Sequence, residues 1–243
     1  MYRRLIAPVT TLTLLFALGC GGSSVETPVE ASTTIRVTLE NVADDQTHTL
    51  SDGSSLTIAL APGLYAVSDD GAALYTTGQD ASAGLERLAE LGDPMALADE
   101  VSADVLDHGV IGDVNNPNYE ESPILPGQVA NFVVDLEEGQ LLEVAMMLGV
   151  SNDTILGAPG GVDLLELLGD DDTAEVTAAF TWVDVGTEVD EPLGEGAHQP
   201  SADPSIDAGD DEDTTVQAVS SDALATEGLP AVSDVVTITI TRL

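Results

Sequence analysis

Lysine is absent from this chain, and five arginines stand against 44 aspartates and glutamates, a formal charge of −39 over 243 residues. Such a balance excludes nucleic acid and anionic phospholipid as direct partners and favours cations. Cys20 is the only cysteine, so no internal disulfide can form. Catalytic signatures are missing too. His48, His108 and His198 lie in separate polar segments without paired-His metal spacing. No G-x-S-x-G elbow offers a serine nucleophile. Without lysine there is no phosphate-cradling loop of the usual kind. Asp203 to Asp213 lacks the alternating ligands and central glycine of an EF-hand loop and reads as a solvated acidic loop. The longest early apolar stretch, Leu5 to Leu18, is shorter than the ~20 residues of a membrane-spanning helix.

What that stretch does resemble is export machinery. Arg3 and Arg4 precede it, and Gly19, Cys20, Gly21, Gly22, Ser23 and Ser24 follow. Charged, then apolar, then small is the order of a secretory signal. Ala17-Leu18-Gly19-Cys20 resembles a bacterial lipobox with its first two residues exchanged. Residues 1–19 are therefore expected to be a lipoprotein signal peptide, and Cys20 the lipidated residue that anchors the chain to a membrane surface without spanning it. An ordinary cleaved signal with an incidental cysteine is the alternative. Gly21, rather than Asp, resembles outer-membrane delivery, so the expected location is the cell envelope or surface. Residues 20–33 are small, polar and Pro-containing, as a flexible tether would be.

The remaining chain, 34–243, suits one domain. Beyond residue 19 it keeps three arginines and all 44 acids, a formal −41. A disordered chain of that charge would be poor in apolar residues, whereas 43% of this sequence is hydrophobic, enough for a packed core. The lack of lysine fits either a saline habitat or simple compositional drift.

Strand signals dominate. Thr34 to Asn41, Val129 to Leu136 and Glu175 to Val183 alternate apolar and polar residues, as half-buried strands do. In the third, Val176, Ala178, Phe180 and Trp182 are expected on one face. Leu56–Leu60 and Leu64–Val67 are strand candidates separated by a Pro62-Gly63 turn, and Thr214–Val219 and Val235–Leu243 are further candidates. Leu141 to Val150 is a nearly continuous apolar run, as in a strand covered on both faces. Asp80 to Leu91 instead has Ala81, Leu85, Leu88 and Ala89 at helical spacing, with Asp80 as N-cap and Gly92 as stop. A second helix is expected from Pro94 through Val105. Asp113–Pro123 and residues 190–213 read as loops, and no internal repeat is present. The predicted fold is mostly β: an antiparallel β-sandwich with a short helical insertion.

Two loops are chemically suggestive because each follows a strong strand: Ser151-Asn152-Asp153-Thr154, and Val183-Asp184-Val185-Gly186-Thr187-Glu188. Gly186 permits a sharp turn that brings Asp184 and Glu188 towards one point. Clustered oxygen donors suit calcium. The acids equally suit turn capping, a routine use of Asn and Asp.

Several segments, in order, resemble the spondin-type domain in its bacterial lipoprotein form. They are Leu74-Tyr75, Gly78, Ala81-Ser82, Gly84-Leu85-Glu86, Leu88-Ala89-Glu90 and Gly92-Asp93; then Pro123-Ile124-Leu125-Pro126-Gly127; then Ala145-Met146-Met147-Leu148 with Ser151-Asn152-Asp153; then Asp184 through Asp190; and the closing strand. The resemblance spans roughly 34–243. It implies a β-sandwich like that of calcium-dependent membrane-binding domains, with a calcium ion held by Asp153, Asp184 and Glu188. Val185 and Gly149 depart from the family pattern. Asp190 stands where bacterial members often have Asn, as a fourth ligand or a bystander. The implied role is a non-enzymatic, adhesion-type binding module with calcium as cofactor and an extracellular protein or glycan as partner. The alternatives are a secreted hydrolase using loop carboxylates and an acidic coat lipoprotein without a specific ligand.

Overall fold

Two antiparallel sheets face one another across a shared apolar layer. The computed structural model describes residues 32–101, 105–112, 122–206, 208–220 and 228–243. All of these lie within one unit, Ala31–Leu243. The signal, lipidation and tether readings at residues 1–19, Cys20 and 20–33 fall almost wholly outside the described residues, as does most of the loop expected at 113–123.

The smaller sheet has the order β4-β1-β10-β7, from β4 (Val129–Leu136), β1 (Thr33–Asn41), β10 (Val236–Arg242) and β7 (Thr173–Glu175). The larger has the order β3-β2-β5-β6-β8-β9. Its strands are β3 (Asp107–Ile111), β2 (Leu60–Ser68), β5 (Leu141–Leu148), β6 (Thr154–Gly157), β8 (Thr181–Asp184) and β9 (Gln217–Ala218). The expected antiparallel sandwich is thus present.

Alternation explains the smaller sheet. Ile35, Val37 and Leu39 of β1 point inwards and are buried, while Arg36 and Glu40 are exposed. Asn41 is the polar member of that inward row. Its side-chain N–H groups donate to the carbonyls of Ile58 (3.0 Å) and Ile124 (2.8 Å), so its burial costs little. The larger sheet is covered on both faces. Leu142, Val144, Met146 and Leu148 of β5 join the layer between the sheets, and Ala145 packs outwards with Leu64, Ala66, Ile155 and Val183. That outer layer is closed by α1 (Ala83–Leu91) and α2 (Met95–Glu100) through Leu85, Leu88, Ala89 and Leu97. Burial on both sides is why residues 141–148 read as an apolar run broken only by Glu143.

The helical insertion starts later than Asp80. Ser82 is the N-cap of α1, its side chain accepting from the Leu85 N–H at 3.1 Å, and Gly92 ends the helix at φ 66° as expected. Glu100 at the end of α2 accepts from the Gly84 N–H at 2.8 Å, tying the two helices together. The second helix stops at Glu100; residues 102–104 are outside the described set. Short helices α3 (Leu164–Leu168) and α4 (Val232–Val235) lie outside the insertion.

Several strand expectations need correction: of Leu56–Leu60 only Leu60 is in a strand, and of Thr214–Val219 only Gln217–Ala218. Pro62-Gly63 does not separate two strands. β2 runs through it, with a register irregularity between Leu60 and Gly63 against β5. A bulge tolerates the missing proline N–H, and a Cβ on Gly63 would enter the Met146 side chain and the Ala145 carbonyl oxygen. Glu175–Val183 is not one strand either. The chain leaves the smaller sheet after β7, makes a 3-10 turn over Thr177–Ala179, and enters the larger sheet as β8. Val176, Phe180 and Trp182 all reach the layer between the sheets, and Ala178 is exposed on the turn. Trp182 donates its indole N–H to the Pro230 carbonyl at 2.7 Å.

Candidate functional site

β5 and β6 are joined by a tight turn, and β8 lies beside β6 with Thr154 opposite Asp184. Asp153, one residue before β6, therefore ends next to Asp184, the last residue of β8. Ser151 fixes the turn: its hydroxyl donates to the Leu148 carbonyl at 2.7 Å and accepts from the Thr154 N–H at 3.2 Å.

Beyond Asp184 the chain reverses at Gly186, whose φ of 73° suits glycine. The Gly186 N–H donates to Oδ1 of Asp184 at 2.7 Å. The reversal aims the next two amides at the first loop, and the N–H groups of Thr187 (3.0 Å) and Glu188 (3.2 Å) donate to Oδ2 of Asp153. Gln217 of β9, paired with Asp184, donates its side-chain N–H to Oδ2 of Asp184 at 2.9 Å.

Asn152 fastens the far end of this segment. Its amide donates to the Val189 carbonyl at 2.9 Å and its oxygen accepts from the Glu191 N–H at 3.4 Å. Asp190 is bracketed between those two anchors. One carboxylate oxygen each from Asp153, Asp184 and Asp190 lies within 4.8 Å of the others. Asp153 is fully buried, Asp184 nearly so, and Asp190 is exposed.

The electrostatics are unfavourable as they stand. Burial, and next the charge of Asp184, push the Asp153 carboxyl well above the usual carboxylate range, against the opposing Glu188 and Thr187 N–H bonds. Oδ1 of Asp153 is buried without a hydrogen-bond partner. Among the described residues, the ion pair of Arg87 with Asp93 and the contact of the His198 ring with Glu191 involve none of the three clustered acids. A buried acid with an unused oxygen, faced by two more acids, is a deficit that a cation would relieve.

Of the residues expected from sequence, Asp153 and Asp184 are brought together. Glu188 is placed differently. Its backbone N–H serves Asp153, while of its own carboxylate Oε1 accepts from the Gly209 N–H at 2.8 Å and Oε2 is buried without a hydrogen-bond partner. The third carboxylate of the cluster is Asp190. The residue that sequence reasoning left without a role is Asn152. An amide flanked by Ser and Asp at a strand end is a turn signal, but its partners 37 and 39 positions away have no local signature.

The donor set is entirely oxygen, which suits a hard cation. Oxygens on opposite sides of a calcium ion at ~2.4 Å each are about 4.8 Å apart, so the three carboxylates fit within one coordination sphere. Against known proteins, the chain matches no family model and no curated sequence. Among the described residues no helix is long and apolar enough to cross a membrane.

Proposed function

We propose that this protein is an exported, surface-tethered binding module whose loops at one end of the sandwich are held by a calcium ion. Asp153, Asp184 and Asp190 hold the ion, and Thr187, Glu188, Asn152 and Gln217 position those carboxylates. The observation that carries this reading is the buried, unpartnered Oδ1 of Asp153 facing two further carboxylates. The motif resemblance to spondin-type domains supports it independently for Asp153 and Asp184. In the same reading the chain is tethered by a lipid on Cys20 and serves adhesion to an extracellular protein or glycan rather than catalysis. A carboxylate hydrolase requires a raised acid that meets substrate, whereas the raised acid here is fully buried. An acidic coat protein without a ligand requires no converging carboxylates.

Calcium supplies the positive charge that links the two loops when bound. Titration calorimetry with calcium chloride on the wild type and on Asp184→Ala tests this. Saturable heat in the wild type and its loss in the variant are expected; equal heats would remove the site.

A further inference from the structure

We propose that the pocket beside the cluster takes a neutral, polyhydroxylated ligand, a sugar ring presenting neighbouring hydroxyls, which shares the bound cation with Asp184 and Asp190. The proposal rests on the calcium reading above and adds the chemical class of the partner.

The pocket encloses about 260 Å³ and is lined by Asp184, Asp190, Glu212, Gln217, Ala218, Val219 and Ser220. Two of the three clustered carboxylates thus stand in its wall. Asp153 does not line it and is buried. A cation held by all three would therefore have protein behind it and this pocket in front. Calcium takes six to eight oxygens. Three carboxylates leave positions to be filled by carbonyls, water or a ligand.

Charge selects among ligands. Among the described residues no cationic side chain lines the pocket. Asp153, Asp184, Asp190 and Glu212 outweigh one divalent ion, so a carboxylate or phosphate would meet net negative potential without a counter-charge. Hydroxyls are neutral. Each offers a lone pair to the cation and a proton to a neighbouring carboxylate, and a vicinal pair does both twice. The volume suits a group of monosaccharide size rather than a larger ligand.

Terbium, an oxygen-seeking stand-in for calcium, gives a direct readout, since its luminescence lifetimes in light and heavy water count the waters bound to it. The protein would be loaded with terbium and then given methyl pyranosides of mannose, galactose and glucose, with acetate as the anionic control. We expect at least about two bound waters on the loaded site. At least one pyranoside should lower that count while acetate leaves it unchanged. Ala218→Trp, at an exposed position of β9, should keep terbium affinity within about twofold and lose the pyranoside response. Terbium bound without waters, displacement by acetate alone, no response to any pyranoside, or a response that survives Ala218→Trp would each overturn the proposal while the calcium reading stands. Failure of terbium and calcium to bind at all would overturn that reading itself.

Discussion

Glu188 meets Asp153 through its backbone and not through its carboxylate: the Glu188 N–H donates to Oδ2 of Asp153 at 3.2 Å, while the Glu188 side chain accepts from Gly209. One residue thus joins three chain segments. Its peptide group helps to aim Asp153, and its side chain holds Gly209. The third carboxylate comes from Asp190, two residues further on and on the exposed side.

This division of labour separates two substitutions. Asp190→Asn removes a clustered carboxylate and should weaken calcium binding at least about tenfold, in the range of one lost charge-assisted contact. Glu188→Gln keeps an oxygen for the Gly209 N–H and leaves the backbone bond intact. Its calcium affinity should stay within about threefold of wild type. Calorimetry on both variants measures the contrast; a larger loss in Glu188→Gln would return the ligand role to Glu188.

Asp153 carries the opposite sign without metal. Its buried carboxylate faces Asp184 with no cation, so Asp153→Asn should raise the melting temperature in chelator, by the equivalent of about 1 kcal/mol. The same variant should lose the thermal shift on adding calcium. In the wild type that shift corresponds to about 2.7 kcal/mol when calcium is 100 times its dissociation constant. Thermal scans with and without calcium give both quantities.

Glu143 offers a pH test remote from the loops. It is buried in β5, accepts from the Ala73 N–H at 2.6 Å, and burial pushes its carboxyl up. Burial and the charge of Glu143 also push the Tyr75 phenol up. Since the folded-state value of Glu143 exceeds the unfolded one, its ionised form costs stability above the folded value. The cost disappears as the pH falls through that value towards the ordinary glutamate value of about 4.3. Glu143→Gln should therefore melt higher than wild type at alkaline pH, with a gap that closes on acidification. A constant gap across the titration would show that burial of the charge is not its source.

Gly63→Ala should destabilise the fold by about 1–3 kcal/mol, because the new methyl enters the Met146 side chain and the Ala145 carbonyl. Chemical denaturation gives the value. A neutral outcome would mean that β2 can move away from β5 at its bulge.

These positions also show what the sequence could carry. The strands β1, β4 and β10 were legible because one face of each meets the core and the other does not, so alternation survives in the residue order. β5 was legible through the opposite property, burial on both faces. The switch between sheets after Glu175 was not legible. Val176, Phe180 and Trp182 point into one layer bounded by both sheets, so their spacing continues while the hydrogen-bonding partner changes. β6 and β3 were missed for lack of length and of clear alternation. At the site, Asp153 and Asp184 were readable because each lies in or at the edge of a loop that follows a strong strand signal. That Asp190 rather than Glu188 joins the cluster goes with the bonds of Asn152 and Gly209 across the loops, which leave no periodic trace.

Asp184 and Gln217 are paired neighbours, yet the chain between them makes a long excursion from the sheets. Departure and return share one rung of the ladder, and within the excursion Val185, Leu193 and Val216 are the buried residues that tie it to the cores. Ser201 and Ala202, exposed in a turn within it, are a natural place for lineages to lengthen, shorten or replace sequence. The framework can stay constant while the outward face diversifies.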